Sequence, residues 1–364
     1  MEKNDSDGIF SLPICKPIVT ATCEKAMLFS ILQAHEWSMP WLINNFIQIY
    51  CLKDLYNNPS LIRRGTLNFL FNRYGDWSLF ELSANPCIDY ERITYQSFRC
   101  GGFNVDIVEF IKNQLQSGRY AFIGIDKYYI SEYAEYMTMH TGHTLFINGF
   151  CNSGFMAHDN FAGGKYREAI IDFSIIEKAF YSMVENDTIA LEADNYGLCF
   201  LFPRIKERHS SFFELFTVNQ KTISESLREY LMHEGYGSQY KHIDYFVFGV
   251  NCYSELMRFI QQAMEGESTY IDHRAFSHMF DHKKLMLYRM DYISTHLLRG
   301  IESTREEYNS ISDLLQVTIQ KIIKFNISKK HSLLTSIMNN LTEIKEREII
   351  CLGKLLDRIE GCAV

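Results

Sequence analysis

Three short apolar runs between residues 120 and 161 constrain the fold of this chain more than any other feature. They read YAFIGID, HTLFINGF and GFMAHDNF, and Gly, Asn and Ser residues separate them. Runs of this length, rich in aromatic and β-branched residues and bounded by turn residues, are typical of β-strands. The spacing predicts neighbouring antiparallel strands.

Helical patterns surround these strands. One helix is predicted to begin at Cys23, because Thr20 or Thr22 can cap it and apolar residues follow at helical spacing until Pro40. Other helices are predicted over residues 41–55, 106–116 and 175–184. A strand-like piece lies at 77–82, and a hairpin turn at Asp194-Asn195 comes before the end of the strand-rich region.

The pattern becomes almost wholly helical after Pro203. Apolar residues recur at spacings of three and four over 311–322 and again over 334–344, which predicts two long antiparallel helices joined at 326–330. A chain of 364 residues exceeds one average core, so two packed units are expected. The predicted fold class is α+β, with an antiparallel-sheet domain over 1–204 and an all-helical domain over 205–364.

Composition excludes several classes of partner. The net charge of −8 does not provide the basic surface that phosphate binding needs. No apolar run is long enough to span a bilayer, and residues 1–11 carry no basic start with an apolar core, as an export signal would. The ten cysteines are scattered without C-x-x-C spacing, so they indicate buried thiols. A cytoplasmic protein without nucleic-acid or membrane partners is expected.

Cys23, His143 and Asp159 carry the candidate chemistry. A thiolate is a strong nucleophile, and the free N–H groups and dipole at a helix N-terminus favour negative charge. Cys23 lies at such a position, while His143 opens one predicted strand and Asp159 comes near the end of the next. The chain order of cysteine, histidine and aspartate matches a nucleophile, its base and the residue that orients the base. We therefore predict a catalytic triad.

Strand register provides a test of this triad. With a turn centred on Cys151, His143 would lie opposite Asp159 on one face of the sheet. With a two-residue turn at Asn152-Ser153, the register would shift by an odd number and the two side chains would point to opposite faces. The second register would break the triad.

Structural interpretations of the same residues remain open. A lone cysteine is commonly a buried small hydrophobe, and a histidine in a strand is commonly structural. Cys15 is the rival nucleophile, but it lies between two prolines in an extended segment. The spacings His140-x-x-His143 and His278-x-x-x-His282 could suit zinc but lack further ligands, so no metal is expected. An anion-binding face or a solvated helix surface could be formed by the charged residues Asp272, Arg274, His282, Lys283 and Arg289, and the solvated surface is the interpretation favoured here.

The segments TCEKAMLFSILQAH, YAFIGIDKYYI and HTGHTLFINGFCNSGFMAHDNF resemble the butirosin-pathway type of acyltransferase found with nonribosomal-peptide and aminoglycoside gene clusters. The N-terminal domain of that family is similar in turn to the papain-like peptidases that remove double-glycine leaders from bacteriocins. The resemblance implies a papain-like fold and places the triad of that family on Cys23, His143 and Asp159. A further stretch, YIDHRAFSHMFDHKKLMLYRMDYI, extends the similarity into the helical region.

This resemblance implies transfer of an acyl group from a carrier-protein thioester to an amine, with the substrate on phosphopantetheine and no cofactor. The helical domain is expected to cover the cleft or to dock the carrier protein. The leader peptidases supply an oxyanion donor from a Gln before the cysteine, which is missing from residues 15–22 here. Thr20 or Thr22 could replace it, and Asp126 could line the cleft. A thioesterase, amidase or peptidase with the same triad, and a non-catalytic scaffold of an assembly line, are the alternatives.

Overall fold

The computed structural model describes residues 8–53, 67–70, 85–94, 106–185, 200–206, 216–232 and 246–361. The helices, in chain order, are α1 (Cys23–Gln33), α2 (Met39–Asn44), α3 (Ile107–Gln116), α4 (Phe173–Glu185), α5 (Gln220–Met232), α6 (Cys252–Met264), α7 (Arg274–His296), α8 (Glu302–Ser328) and α9 (Ser332–Gly361). The strands are β1 (Phe10–Ser11), β2 (Gln48–Leu52), β3 (Leu67–Leu70), β4 (Ile88–Ile93), β5 (Ala121–Asp126), β6 (Gly142–Cys151), β7 (Gly154–Phe161), β8 (Lys165–Ile171), β9 (Phe200–Ile205) and β10 (Phe246–Phe248). The predicted α+β class is confirmed.

The chain divides into two compact units. The first contains residues 1–38 and 76–211, and the second contains residues 39–75 and 212–364. The predicted change near residue 205 lies close to the end of the first unit. Residues 39–75 group with the helical C-terminal region, so one cut along the chain does not separate the two units.

The first unit contains an antiparallel sheet. Its strand order is β4-β9-β5-β6-β7-β8, and β1 pairs with the C-terminal end of β6. Helix α1 contacts β6 and β7, which brings the N-terminal helix to the strands predicted from residues 120–161. The Gly163-Gly164 turn between β7 and β8 has positive φ at both glycines, as a tight turn of this kind requires.

Apolar residues from α3, α4 and the sheet form the core of this unit. They alternate along the strands and recur every three or four residues in the helices, so one face of each element is apolar. Asp106 caps α3 by accepting hydrogen bonds from the N–H groups of Val108 and Glu109. The core includes Ile107, Ile111, Leu115, Ile123, Ile125, Leu145, Ile147, Phe155, Ala157, Ile176 and Phe180.

The hairpin between β6 and β7 has the second of the two turns considered for it. Cys151 pairs with Gly154, so Asn152-Ser153 form a two-residue turn, which is the turn expected to break the triad. By itself this turn would have put His143 and Asp159 on opposite faces. The register shifts once more between Ile147 and Gly149, where Asn148 is an extra residue of a β-bulge.

The bulge restores the common face. Beyond it Phe146 pairs with His158, and one further step along this register places Asp159 beside Leu145. His143 is two residues from Leu145, so it shares a face with Asp159 and lies diagonal to it. Asn148 is fixed by two contacts: its Nδ2 donates to the Leu12 carbonyl at 3.1 Å, and its Oδ1 is 2.8 Å from Nε2 of His158.

The helix predicted over 41–55 is also wrong. Helix α2 ends at Asn44, and strand β2 begins at Gln48. Phe46, between them, has a φ of 58°, a left-handed conformation that a right-handed helix cannot continue through. The pieces predicted at 77–82 and 194–195 lie outside the described residues.

The second unit combines long helices with a small antiparallel sheet of order β10-β2-β3. Helix α8 packs along both α7 and α9, and a link of residues 329–331 joins α8 to α9, as predicted. Lys329 in this link has a φ of 54°, the left-handed conformation common at helix C-termini. None of the helices formed by the described residues combines the length and apolar character needed to cross a bilayer.

Charged residues of α7 are buried, so the solvated surface predicted for them is wrong. His282, Lys283 and Arg289 are 0% exposed. Arg289 donates to the carbonyls of Ile43 and Asn45, and Nε2 of His282 bonds to the carbonyl of Ile47 at 2.9 Å. These partners satisfy groups that would otherwise be costly to bury. Asp272 and Arg274 do pair near the surface, at the start of α7.

Lys283 belongs to a buried group that we call the tyrosine cluster: Lys283, Glu348, Tyr230, Tyr253 and Tyr308. Lys283 Nζ lies 2.5 Å from Glu348 Oε1, and both side chains are 0% exposed. The three tyrosine hydroxyls donate to the same carboxylate at 2.7 to 3.1 Å. Glu348 thereby joins α5, α6, α7 and α8 to α9.

Candidate active site

Cys23 is the first residue of α1. Thr22 before it is extended, with φ −127° and ψ 141°, and its side chain does not cap the helix. The first turn therefore keeps N–H groups that no threonine side chain satisfies, which favours negative charge at this end. Cys23 is partly exposed.

The three predicted site residues lie together. Cys23 Sγ, a ring nitrogen of His143 and a carboxylate oxygen of Asp159 are all within 4.8 Å of one another. Nε2 of His143 is 2.8 Å from Oδ2 of Asp159. The His143 side chain is 28% exposed and the Asp159 side chain is 0% exposed. Solvent therefore reaches the imidazole but not the carboxylate.

Three donors hold the Asp159 carboxylate. Its Oδ1 accepts the N–H of Asn160 at 2.7 Å, and its Oδ2 accepts His143 and the hydroxyl of Tyr133. The ring of Tyr133 also contacts the ring of His143 edge to face, with centroids 5.8 Å apart. Tyr133 thus fixes both partners of the histidine–aspartate pair. Sequence reasoning missed it, because its place depends on the path of the loop between β5 and β6.

The electrostatics of His143 favour its charged form. Burial lowers the pKa of His143, but the Asp159 carboxylate and the hydrogen bond and charge of Cys23 outweigh burial and raise this pKa to about 10. At neutral pH the ring is therefore an imidazolium. An imidazolium beside a sulfur is the arrangement that stabilises a thiolate.

Polar contacts tether the segment before Cys23 to the sheet. Asn160 Nδ2 donates to the Thr20 carbonyl at 2.8 Å, and Thr144 Oγ1 lies 3.4 Å from Cys23 Sγ. Asn160 is adjacent to Asp159, so one strand end positions both the carboxylate and the nucleophile segment. Thr22 Oγ1 is buried without a hydrogen-bond partner among the described residues, and this hydroxyl is one residue from the nucleophile.

Asp126 is held by other groups. Its side chain is 0% exposed and lies 2.6 Å from Nδ1 of His140. It also accepts hydrogen bonds from the Ser182 hydroxyl and from the N–H groups of Tyr128 and Thr141, at 2.7 to 3.1 Å. The structure therefore groups Asp126 with His140 and not with the three residues around Cys23.

The rival sites are dispersed. Cys15 is exposed and has no acid–base partner among the described contacts. His140 turns to Asp126, while His278 Nδ1 bonds to the Arg274 carbonyl at 3.0 Å. Within the described part of the chain, the one grouping of three potential metal ligands is Cys23, His143 and Asp159. The seven described cysteines are free thiols; four of them are buried, whereas Cys15, Cys23 and Cys151 are exposed or partly exposed.

Comparison with known proteins adds no relative. No protein-family model matches this chain, and a search of curated protein sequences finds no significant match. The resemblance carried by the sequence motifs therefore stays a prediction. The geometry around Cys23 is the main support for a function.

Proposed function

We propose that this protein is a cysteine-dependent acyltransferase with a papain-like catalytic unit. The acyl or peptidyl group would come from a carrier-protein thioester and pass through Cys23 to an amine. One observation carries the proposal: a cysteine at a helix N-terminus, an imidazole and a buried carboxylate lie within 4.8 Å of one another. This set supplies a nucleophile, a base and an orienting group.

Acylation uses the Cys23–His143 pair. Because Nε2 of His143 bonds to Asp159, Nδ1 is the nitrogen that holds the proton given up by the Cys23 thiol in the resting thiolate–imidazolium pair. The Cys23 thiolate attacks the thioester carbonyl, forming the bond from Sγ to the acyl carbon. The bond from that carbon to the pantetheine sulfur breaks, and the His143 imidazolium gives its proton to the departing thiolate.

Transfer completes the cycle. An amine attacks the acyl carbon of the Cys23 thioester, and the bond from that carbon to Sγ breaks as the amide bond forms. His143 takes a proton from the attacking nitrogen, and the resulting imidazolium stabilises the released Cys23 thiolate by pairing with it. Asp159, held by Tyr133 and Asn160, keeps the ring in one orientation and stabilises its charge.

The tetrahedral intermediates need donors for their oxyanion. The N–H of Cys23, at the start of α1, is one such donor. The Thr22 hydroxyl is the second donor in this proposal; it is buried and without a partner among the described residues, so its side chain must turn towards the cleft to donate. Thr20 contributes through its carbonyl, which Asn160 holds, so its role is to position the segment.

Intact-mass analysis after incubation with acyl-pantetheine thioesters tests this function. We expect a covalent acyl adduct on Cys23 that accumulates without an amine and disappears when amines are added. The Cys23→Ala variant should form no adduct, whereas Cys15→Ala, the matched exposed cysteine, should react like the wild type. Adduct loss in water as fast as in amine solutions would favour a thioesterase. No adduct from any donor would favour a non-catalytic scaffold.

A further inference from the structure

A second histidine–aspartate pair lies outside the Cys23 site. Nδ1 of His140 is 2.6 Å from Oδ2 of Asp126. The carboxylate is fully buried while the His140 side chain is 48% exposed. This is the arrangement that fixes one nitrogen of an imidazole and leaves the other for solvent or a ligand.

The surroundings hold the His140 ring rigidly. It stacks on the ring of Tyr128 with centroids 4.1 Å apart and an interplanar angle of 15°, and it meets Tyr129 edge to face. Among the described residues no hydrogen-bond partner is found for its Nε2. Asp126 stays ionised, because burial raises its pKa but hydrogen bonds from His140, Ser182 and two backbone N–H groups outweigh burial and lower it.

The pair adjoins the Cys23 site. Asp126 pairs with Gly142 across β5 and β6, and the next residues, Ile125 and His143, pair in turn. His140 is three residues before His143, a distance of at most about 10 Å between Cα atoms. The loop that carries His140 also carries Tyr133, which bonds to Asp159. One loop thus carries both the partly exposed His140 and a residue that contacts the Cys23 site.

We propose that His140, oriented by Asp126, is the base that deprotonates the incoming amine acceptor. This inference rests on the proposed function and specifies the acceptor as a basic amine. Such an amine is an ammonium ion at neutral pH and has no lone pair for attack until a base removes one proton. Nε2 of His140 takes that proton while the Asp126 carboxylate stabilises the resulting imidazolium.

The ammonium acceptor loses two protons during transfer. The ammonium gives one proton to His140, which releases it to solvent. The neutral amine attacks the acyl carbon on Cys23 and gives a second proton to His143, which compensates the released thiolate. The products are an amide, the free enzyme and one proton. His143 therefore acts in both half-reactions, whereas His140 acts only in the transfer of the acyl group to the amine.

Separate measurement of the two half-reactions tests this division. p-Nitrophenyl acetate acylates the enzyme with release of p-nitrophenolate. Decay of the acetyl-enzyme is then followed with n-propylamine, which is almost wholly protonated at pH 7, or with methoxyamine, which is weakly basic and unprotonated at pH 7. In His140→Ala we expect aminolysis by n-propylamine to slow by about 10²-fold. Acylation and aminolysis by methoxyamine should change by less than about threefold.

Two further variants separate this role from a structural one. His140→Asn keeps a donor near the position of Nδ1 but has no base, so it should be as slow with n-propylamine as His140→Ala. Met139→Ala, at a 57% exposed neighbour in the same loop, should behave like the wild type. Full n-propylamine reactivity in His140→Asn would overturn the proposal, as would equal slowing with both amines. If the wild type forms no acetyl-enzyme, the proposed function itself fails.

Discussion

Each unit contains a compact cluster of charged and hydroxyl side chains, and the two clusters differ in access. In the tyrosine cluster of the second unit, Lys283 and Glu348 are 0% exposed and every carboxylate bond comes from the protein. Around Cys23 only the carboxylate of Asp159 is fully buried, and the imidazole is 28% exposed. A closed cluster can hold helices together, whereas an open one can exchange protons and bonds with a substrate.

This comparison predicts opposite responses to mutation. Substitution in the Cys23 site should change reaction rates with little change in stability. Substitution in the tyrosine cluster should change stability with little change in the rate of acylation per folded molecule.

Removal of the imidazole should have the largest effect on rate. In His143→Ala we expect acylation of Cys23 by pantetheine thioesters to fall by about 10³-fold, because no base takes the thiol proton. His331→Ala, at an exposed histidine of the second unit, serves as the control and should acylate normally. Rapid quenching followed by intact-mass analysis gives the acylation rates of both variants. A His143→Ala rate within about threefold of wild type would show that the triad is only structural.

Removal of the buried carboxylate should have the largest effect on stability. Glu348→Gln leaves the Lys283 charge buried without a counter-ion, so the free energy of unfolding should fall by about 3 kcal/mol. Glu346→Gln, an exposed glutamate on the same helix, should change it by less than about 0.5 kcal/mol. Urea unfolding measures both, and hydrogen exchange shows whether the loss is confined to the second unit. Similar stabilities for the two variants would contradict the contrast.

Loss of the Tyr133 hydroxyl should have an intermediate effect on rate. Tyr133→Phe keeps the ring against His143 but removes a donor to Asp159, so the carboxylate and imidazole are less well oriented. We expect acylation to slow by about tenfold, which corresponds to about 1.4 kcal/mol. Tyr136→Phe, in the same loop and 44% exposed, provides the matched comparison. Equal rates in the two variants would remove Tyr133 from the site.

The smallest expected effect is on the pH dependence of stability. The pKa of His143 is raised from 6.5 to about 10 in the folded chain. Its stabilising contribution is thus complete below pH 6.5 and is lost as the pH rises through 10. After screening at a partly exposed ring we expect this contribution to be about 1 kcal/mol. The difference in unfolding free energy between wild type and His143→Ala should shrink from pH 6.5 to pH 10. A difference that stays constant over this range would show that the charged His143 ring does not stabilise the fold.

Sequence reasoning located the main site residues but not what joins them. Cys23, His143 and Asp159 follow from strand and helix patterns, because short periodic elements are local signals. The bulge at Asn148 is not local: it depends on contacts with Leu12 and His158, and without it the two-residue turn would separate the triad.

The burial of Lys283 has a similar cause. A charged side chain is usually predicted to be exposed to solvent. Glu348, 65 residues later in the chain, pairs with Lys283 in the folded unit and compensates its charge. The pattern around residues 41–55 is apolar enough for either a helix or a strand, and the left-handed Phe46 decides between them. Contacts between distant segments thus determine the features that sequence periodicity could not predict.

The reactivity of Cys23 tests the central claim most directly. Peptide mass spectrometry can follow alkylation of each cysteine by iodoacetamide at pH 6.5 in the folded protein. A thiolate stabilised by the His143 imidazolium should react at least about tenfold faster than the exposed Cys15, and His143→Ala should remove this excess. Alkylation of Cys23 no faster than that of Cys15 in the wild type would contradict a nucleophilic role.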